Sequence, residues 1–166
     1  MKICIIGPSG AGKSTILKKL ADEFNVPVYE FDEIYWDLSG THFVKNSEEF
    51  MDMHINKIIN KIDWIVEGAY DKRMYQLLTE CSLILKIEVP YWLRVIRLFK
   101  RFLVSKMMGK QPRETLWNTL HLILFSYKYD KRLDKFLYKN TIFSSKIVIA
   151  SNVLSCINAI RKMNTR

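Results

Sequence analysis

The segment Gly7-Pro8-Ser9-Gly10-Ala11-Gly12-Lys13-Ser14 constrains the fold more than any other part of the chain. It satisfies the spacing G-x-x-x-x-G-K-[ST]. Lys2 and the apolar run Ile3-Cys4-Ile5-Ile6, rich in β-branched isoleucine, precede it. Ile16, Leu17, Leu20, Ala21 and Phe24 follow it at helical spacing. Strand, glycine-rich turn and helix is the order that brings many backbone N–H groups onto one polyanion. Gly10 and Gly12 permit the turn and keep side chains out of the way. The amides of residues 10–15 then point inward at a helix N-terminus, where the dipole favours negative charge. Lys13 can reach the outer phosphates, and the Ser14 hydroxyl can bind Mg²⁺. A glycine turn without a ligand is the bland alternative, and it leaves the Lys13-Ser14 pair without a purpose. The dinucleotide spacing G-x-G-x-x-G is not met, because the glycines stand at 7, 10 and 12.

The rest of the chain alternates strand and helix patterns. Residues 26–31 read as a second strand and 32–45 as mostly loop. Ser47 before Glu48 and Glu49 reads as a helix start. Residues 64–67 form a third strand stopped by Gly68, 71–80 a short helix and 83–89 a fourth strand stopped by Pro90. Residues 91–108 and 113–138 read as long helices, 146–150 as a fifth strand and 152–162 as a closing helix. Five strands separated by helices imply an α/β fold with a parallel sheet covered on both faces. At 166 residues and 49% hydrophobic types, one domain over residues 1–166 is expected. Segments 32–62 and 100–140 are read as an acceptor-covering region and a lid within it.

Cys4, Cys81 and Cys156 are odd in number and far apart in sequence, so no disulfide framework or zinc site is expected. No stretch has the length a membrane span needs, and the start lacks a signal-peptide pattern. A cytoplasmic protein without membrane partners is the expectation. Charge is uneven. Residues 1–80 hold 9 Lys and Arg against 13 Asp and Glu; residues 81–166 hold 17 against 4. A basic half suits nucleic acid, an anionic membrane or phosphorylated small molecules.

Candidate side chains fall at the carboxyl ends of the strands, where open α/β sheets bind ligands. Asp32 follows the second strand and could hold Mg²⁺ through water or accept a proton from an acceptor hydroxyl. Glu30 and Glu33 compete for that role, and spacing does not separate them. Glu67 and Gly68 end the third strand; Gly68 suggests close approach of the backbone to a ligand or a helix, and Glu67 suits a water of the Mg²⁺ shell or an acceptor hydroxyl. Tyr35, Trp36, Tyr70 and Arg73 are candidates for contact with the acceptor. Arg94, Arg97 and Arg101 share one helix face, and Arg113 follows a break at 109–112. Such arginines can neutralise charge spreading onto a transferring phosphoryl group. Lys128, Lys131, Arg132, Lys135 and Lys139 read as solvated surface, with nucleic-acid contact as the lesser option. The aromatics Trp117, Phe125, Tyr127, Tyr129, Phe136 and Tyr138 read as helix packing. Thr15, Ser151 and Asn152 complete the nucleotide-contact set, the last two in the loop after strand five.

IIGPSGAGKST at 5–15, VPVYEFDEIYW at 26–36, DWIVEGAY at 63–70 and LKIEVPYWLRVIRLFKRF at 85–102 together resemble the P-loop kinase superfamily, near adenylate and shikimate kinases. NTLHLILFSYKYDKR at 118–132 matches more loosely. Within that group the chain is most similar to the FlaR-like DNA topology modulation proteins. The resemblance implies a P-loop NTPase three-layer α/β/α sandwich with strand order 2-3-1-4-5. It implies ATP and Mg²⁺ as cofactors, held by residues 7–15, and Asp32 as the strand-two carboxylate. Arg97 and Arg101 fall where lid-proximal arginines are expected. Ala69 stands where the group often has Asn. Two functions follow: ATP- and Mg²⁺-dependent phosphoryl transfer to a hydroxyl or phosphate of a small acceptor, a nucleoside or nucleotide among the options, as a monomer or homodimer, or nucleotide-dependent action on DNA through the basic half.

Overall fold

A computed structural model describes residues 1–37, 39–40, 44–69, 72–107 and 115–165, with the backbone alone for Arg73. Lys2–Ile6 forms β1 and Lys13–Phe24 forms α1. Val28–Glu30 (β2), Phe31–Tyr35 (α2) and a small hairpin of Trp36–Asp37 (β3) with Val44–Lys45 (β4) follow. Glu48–Ile59 is α3, Trp64–Gly68 is β5, and a 3₁₀ turn at Lys72–Met74 leads into α4, Tyr75–Glu80. Leu83–Ile87 (β6), Tyr91–Met107 (α5), Leu116–Lys139 (α6), Thr141–Ser144 (α7), Ile147–Ala150 (β7) and Val153–Asn164 (α8) complete the described chain.

The main sheet runs β2-β5-β1-β6-β7, all parallel. Counting its strands alone, that is the expected order 2-3-1-4-5. Period-two alternation divides the core. Cys4, Ile6, Trp64, Val66 and Ile84 face α3, α4, α6 and α7. Ile3, Ile5, Ile65, Leu83 and Leu85 face α1 and α8. Both faces are buried, which is why these strands read as unbroken apolar runs. All three cysteines are buried free thiols. Among the described residues, no helix is long and apolar enough to cross a membrane.

Several boundaries differ from the sequence expectation; the fourth strand, for one, ends at Ile87 and not at residue 89. The second strand stops at Glu30, and Asp32 lies in the first turn of α2 rather than in a loop. Phe31 and Ile34, three apart, are both buried, so a helical turn points both at the core while Asp32 and Glu33 sit near the favourable helix start. The helix expected from residue 113 runs from Leu116, with Thr115 Oγ1 accepting from the Asn118 N–H at 3.1 Å. Ser47 caps α3 as expected, accepting from the Phe50 N–H at 3.2 Å.

Candidate functional site

The loop from Gly7 to Gly12 joins the central strand β1 to α1. Gly10 and Gly12 have φ of +79° and +92°, left-handed values that favour glycine. Gly12 is the N-cap of α1 and gives no side-chain cap, and the first turn carries no acidic residue. The positive end of α1 is therefore presented by backbone amides. Lys13 curls over the loop, its Nζ donating to the Pro8 carbonyl at 3.3 Å and standing 3.8 Å from Glu67 Oε2. Ser14 Oγ donates to Glu67 Oε1 at 2.6 Å. The Glu67 carboxylate thus engages both residues that close the motif.

Glu67 is buried on β5, level with Ile5 of β1 and Glu30 of β2. Burial first, then the facing Glu67 and Glu33 carboxylates, push the Glu30 carboxyl above its ordinary pKa, against the pull of Lys18. The structure separates the three acidic candidates that spacing leaves together. Asp32 lines the cavity at the glycine loop, with Glu67. Glu30 and Glu33 line a different cavity, beside Tyr29, His54 and Lys61.

The wall opposite Glu67 comes from α5. Arg97 Nη1 donates to the carbonyls of Gly10 at 3.3 Å and Ala11 at 3.1 Å. Leu98 is buried against the loop, and Arg101 lines the same cavity. Arg94 departs from the sequence expectation. It is buried, and it donates to the Ser126 carbonyl at 3.1 Å, to Ser126 Oγ at 3.0 Å and to Asp130 Oδ2 at 2.6 Å. It ties α5 to α6 and stands outside the lining of the cavity at the glycine loop. Ser126 Oγ in turn reaches the Ser9 carbonyl at 3.5 Å. An Arg and a Leu at i and i+4 share a face, and that face is the packed one; the charge of Arg94 hid this in the sequence.

Among the described residues, the cavity of about 600 Å³ is lined by residues 9–16, Asp32, Glu67, Arg97, Leu98, Arg101 and residues 151–153. That volume suits a small-molecule site. Gly7 and Pro8 form the base of the loop. Ser151 and Asn152 reach the cavity from the β7 side, where Asn152 also caps α8, accepting from the Ser155 N–H at 2.9 Å. Gly68 stands outside the lining. A Cβ there would meet Phe31 Cβ at 2.9 Å and Met74 Sδ at 3.0 Å, so its close approach is to packed side chains and not to a ligand. Tyr35 and Trp36 also stand outside. Their rings meet edge to face at 4.7 Å, and Tyr35 packs against the core with Lys45 over its ring. Tyr70 and Arg113 lie outside the described residues, as does the side chain of Arg73.

The site is a glycine loop at a helix N-terminus, with Lys13, Arg97 and Arg101 facing Glu67 and Asp32 at the carboxyl edge of a parallel sheet. The chain has the fold of the P-loop kinases. Comparison with solved structures agrees over nearly the whole length. A gluconokinase from Sinorhizobium meliloti superposes with a TM-score of 0.58 at 12% identity, covering 98% of this chain and 92% of that one. Shikimate kinase from Aquifex aeolicus gives 0.56 at 15% identity, over 97% and 96%. Shikimate kinase from Acinetobacter baumannii, solved with shikimate, gives 0.55 at 12%, over 98% and 90%. Guanylate kinase of Campylobacter jejuni (strain RM1221) is 56% identical over 39 residues, 24% of this chain and 16% of that protein. The match therefore spans about a sixth of that relative's length. No family's sequence model matches the chain. These similarities support the kinase-like fold and leave the narrower DNA-topology resemblance without support.

Proposed function

We propose that this protein transfers the γ-phosphoryl group of ATP to a hydroxyl of a small acceptor. One observation carries the reading: Lys13, Ser14, Asp32, Glu67, Arg97 and Arg101 converge on one cavity at the glycine loop, although they come from four separated parts of the chain. The amides of residues 10–15 and the Lys13 ammonium hold the donor phosphates. Ser14, Glu67 and Asp32 offer a hydroxyl and two carboxylates. That is an oxygen set suited to Mg²⁺, which typically takes one or two carboxylates besides substrate phosphates. A Mg²⁺ ion held by these residues would supply neutralisation of the donor's phosphate charge.

Asp32 is the proton acceptor in this reading. Its carboxylate takes the proton of the acceptor hydroxyl, whose oxygen bonds to the γ-phosphorus as the bond to the β,γ-bridging oxygen breaks. The products are ADP and the phosphorylated acceptor. Arg97 and Arg101, joined in this proposal by Arg113, stabilise charge on the phosphoryl oxygens in flight. Arg97 already spans the loop's carbonyls and needs only a rotamer change to meet a phosphate. Ser151 and Asn152 flank the nucleoside side. Acceptor contact is assigned to Glu67, Tyr70 and Arg73. The kinases of shikimate and gluconate that share the fold act on polyhydroxylated carboxylates, and an acceptor of that type is proposed here.

The experiment is an ADP-release assay with Mg²⁺-ATP and a panel of sugar acids, hydroxylated carboxylates and nucleoside monophosphates. Release stimulated by a hydroxylated carboxylate or sugar acid, and abolished by Lys13→Met, is expected; stimulation by nucleoside monophosphates alone overturns the hydroxyl acceptor. Release that ignores every acceptor, or that survives Lys13→Met, overturns the proposal.

A further inference from the structure

Helix α5 is apolar on two opposite sides. Its inner side carries Arg94 and Leu98, buried against the glycine loop and α6. Its outer side carries Trp92, Ile96, Phe99, Leu103 and Met107, spaced four, three, four and four residues apart. All five are exposed, Trp92 by 63%. At about 100° per residue that spacing places them on one stripe, centred roughly 140° around the helix from Leu98. Helix α6 repeats the pattern. Thr119, Ile123 and Ser126 are buried, while Trp117, Leu120, Leu124 and Tyr127 are exposed, Trp117 by 68%. Tyr91 joins the two helices, its hydroxyl on the Ile123 carbonyl at 3.4 Å and its ring 5.5 Å from that of Tyr127. A surface helix ordinarily keeps one apolar stripe, and a second one exposed to water calls for an occupant.

Charge identifies the occupant. The described carboxylates of residues 81–166 are Glu88, Asp130 and Asp134. All three are paired with buried cations, Glu88 and Asp134 with Lys86 and Asp130 with Arg94, although their side chains stay 41% to 50% exposed. With those pairs set against each other, the remaining exposed charge of the two helices is cationic in sum, with Lys100 and Lys106 beside the α5 stripe and Lys128, Lys131 and Lys135 farther along α6. A second copy of the chain would bring like charges together. Nucleic acid would use the cations but leave the aliphatic stripe wet. A lipid surface with anionic headgroups uses both, with Trp, Phe and Leu in the headgroup–acyl boundary and lysines at the phosphates.

We propose that the outer face of α5 and the adjoining face of α6 dock on an anionic membrane surface, lying on it without crossing it. One apolar face plus one basic patch is the two-signal combination that gives stable but reversible attachment. Arg97, Leu98 and Arg101 face the opposite way, so the docked protein keeps its cavity open.

The test is sedimentation with phosphatidylcholine vesicles, with and without roughly a third phosphatidylserine. Binding at least about tenfold tighter to the serine-containing vesicles is expected, weakening as salt rises. Tryptophan emission will shift to the blue, because Trp92 and Trp117 leave water while Trp64 is buried throughout. Ile96→Ser/Leu103→Ser and Lys100→Gln/Lys106→Gln will each weaken binding about tenfold or more, with melting unchanged. Equal binding to both vesicle types, no binding, or variants that bind like the parent overturn the proposal. So does a dimer or a DNA complex that forms through this face while vesicles are ignored.

Discussion

Alanine at Gly10 and at Gly12 separates two reasons why this loop needs glycine. Both positions have positive φ, +79° and +92°. A side chain in the left-handed region costs about 1–2 kcal/mol. Losing a glycine also stiffens the unfolded chain, which returns about 0.4–1 kcal/mol. These contributions are shared by the two variants and cancel in their difference. What remains is space. At Gly12 the new methyl meets only Arg97 Nη1, at 3.4 Å, the far end of a flexible side chain. At Gly10 it meets the Arg94 carbonyl oxygen at 2.9 Å, Leu98 Cγ at 3.2 Å and Arg94 Cα at 3.3 Å.

Two of the three atoms at Gly10 are backbone, and that backbone is held. Arg94 is fixed to Asp130 at 2.6 Å and to Ser126 at 3.0 and 3.1 Å. Overpacking of this kind costs about 1–3 kcal/mol. Gly10→Ala is therefore expected to be less stable than Gly12→Ala by about 1–3 kcal/mol in urea unfolding at constant m. Leu98→Ala in the Gly10→Ala background relieves only the 3.2 Å contact and will not recover the difference. Equal stabilities, within about 0.5 kcal/mol, would refute the claim that α5 presses on the loop at Gly10.

Glu67→Gln keeps an oxygen for Ser14 Oγ but removes the charge beside Lys13, so metal-free ADP should bind more tightly and Mg²⁺ should enhance binding about tenfold less; titration calorimetry with and without Mg²⁺ reads both. Glu30 supplies a pH test. Its carboxyl pKa is raised by burial and by the Glu67 and Glu33 carboxylates, so the folded protein holds that proton more tightly than the unfolded chain does. The stability it contributes is present below its ordinary value of 4.5 and is lost as pH rises through the folded value. Glu30→Gln should accordingly raise Tm at pH 7 and lose that advantage at more acid pH; the same gain at both would disprove the shift. Arg94→Met removes a cation whose side chain is 6% exposed but leaves Asp130, 41% exposed, open to hydration. The cost should stay near 1–3 kcal/mol in urea unfolding, the range for lost charged hydrogen bonds rather than for a stranded buried ion.

Much of this architecture is written in local pattern. Residues 2–6, 64–67 and 83–89 announce themselves as strands because both faces of a parallel sheet must be apolar. The glycine loop is legible because the order strand, glycines, Lys-Ser leaves few alternatives. What the sequence hides is partnership. Glu67 is an evident oddity after Trp64, Ile65 and Val66, but that it accepts from Ser14 follows only from β1 and β5 being neighbours. Asp32 and Glu30 share a parity on an ideal strand, and they part because buried Phe31 and Ile34 turn the chain into a helix. Tyr35 looks like a ligand-stacking residue by position and is a packing residue by contact. Of the six aromatics expected to pack along the second long helix, Tyr129 is buried, while Trp117, Tyr127 and Tyr138 are exposed. Composition cannot say on which side of a helix an aromatic falls.

The basic half of the chain resolves into three populations with different work. Lys86 and Arg94 are buried and consume the nearby carboxylates. Arg97 and Arg101 are exposed and line the cavity at the glycine loop. The lysines of α6 are exposed along the helix beyond it. Helix α5 belongs to all of this at once, because it contributes the back wall of the loop through Leu98 and Arg97 and is braced by α6 through Arg94. Substitutions on its inner side should therefore register as changes in nucleotide affinity even where they touch no phosphate, since Arg97 of the same helix is hydrogen-bonded to the carbonyls of Gly10 and Ala11. Substitutions at Ile96 or Leu103 have no such route to the loop. A thermal-shift series with an ATP analogue across both sides distinguishes the cases, and an outer-side variant that weakened nucleotide binding as much as an inner-side one would break this division of the helix.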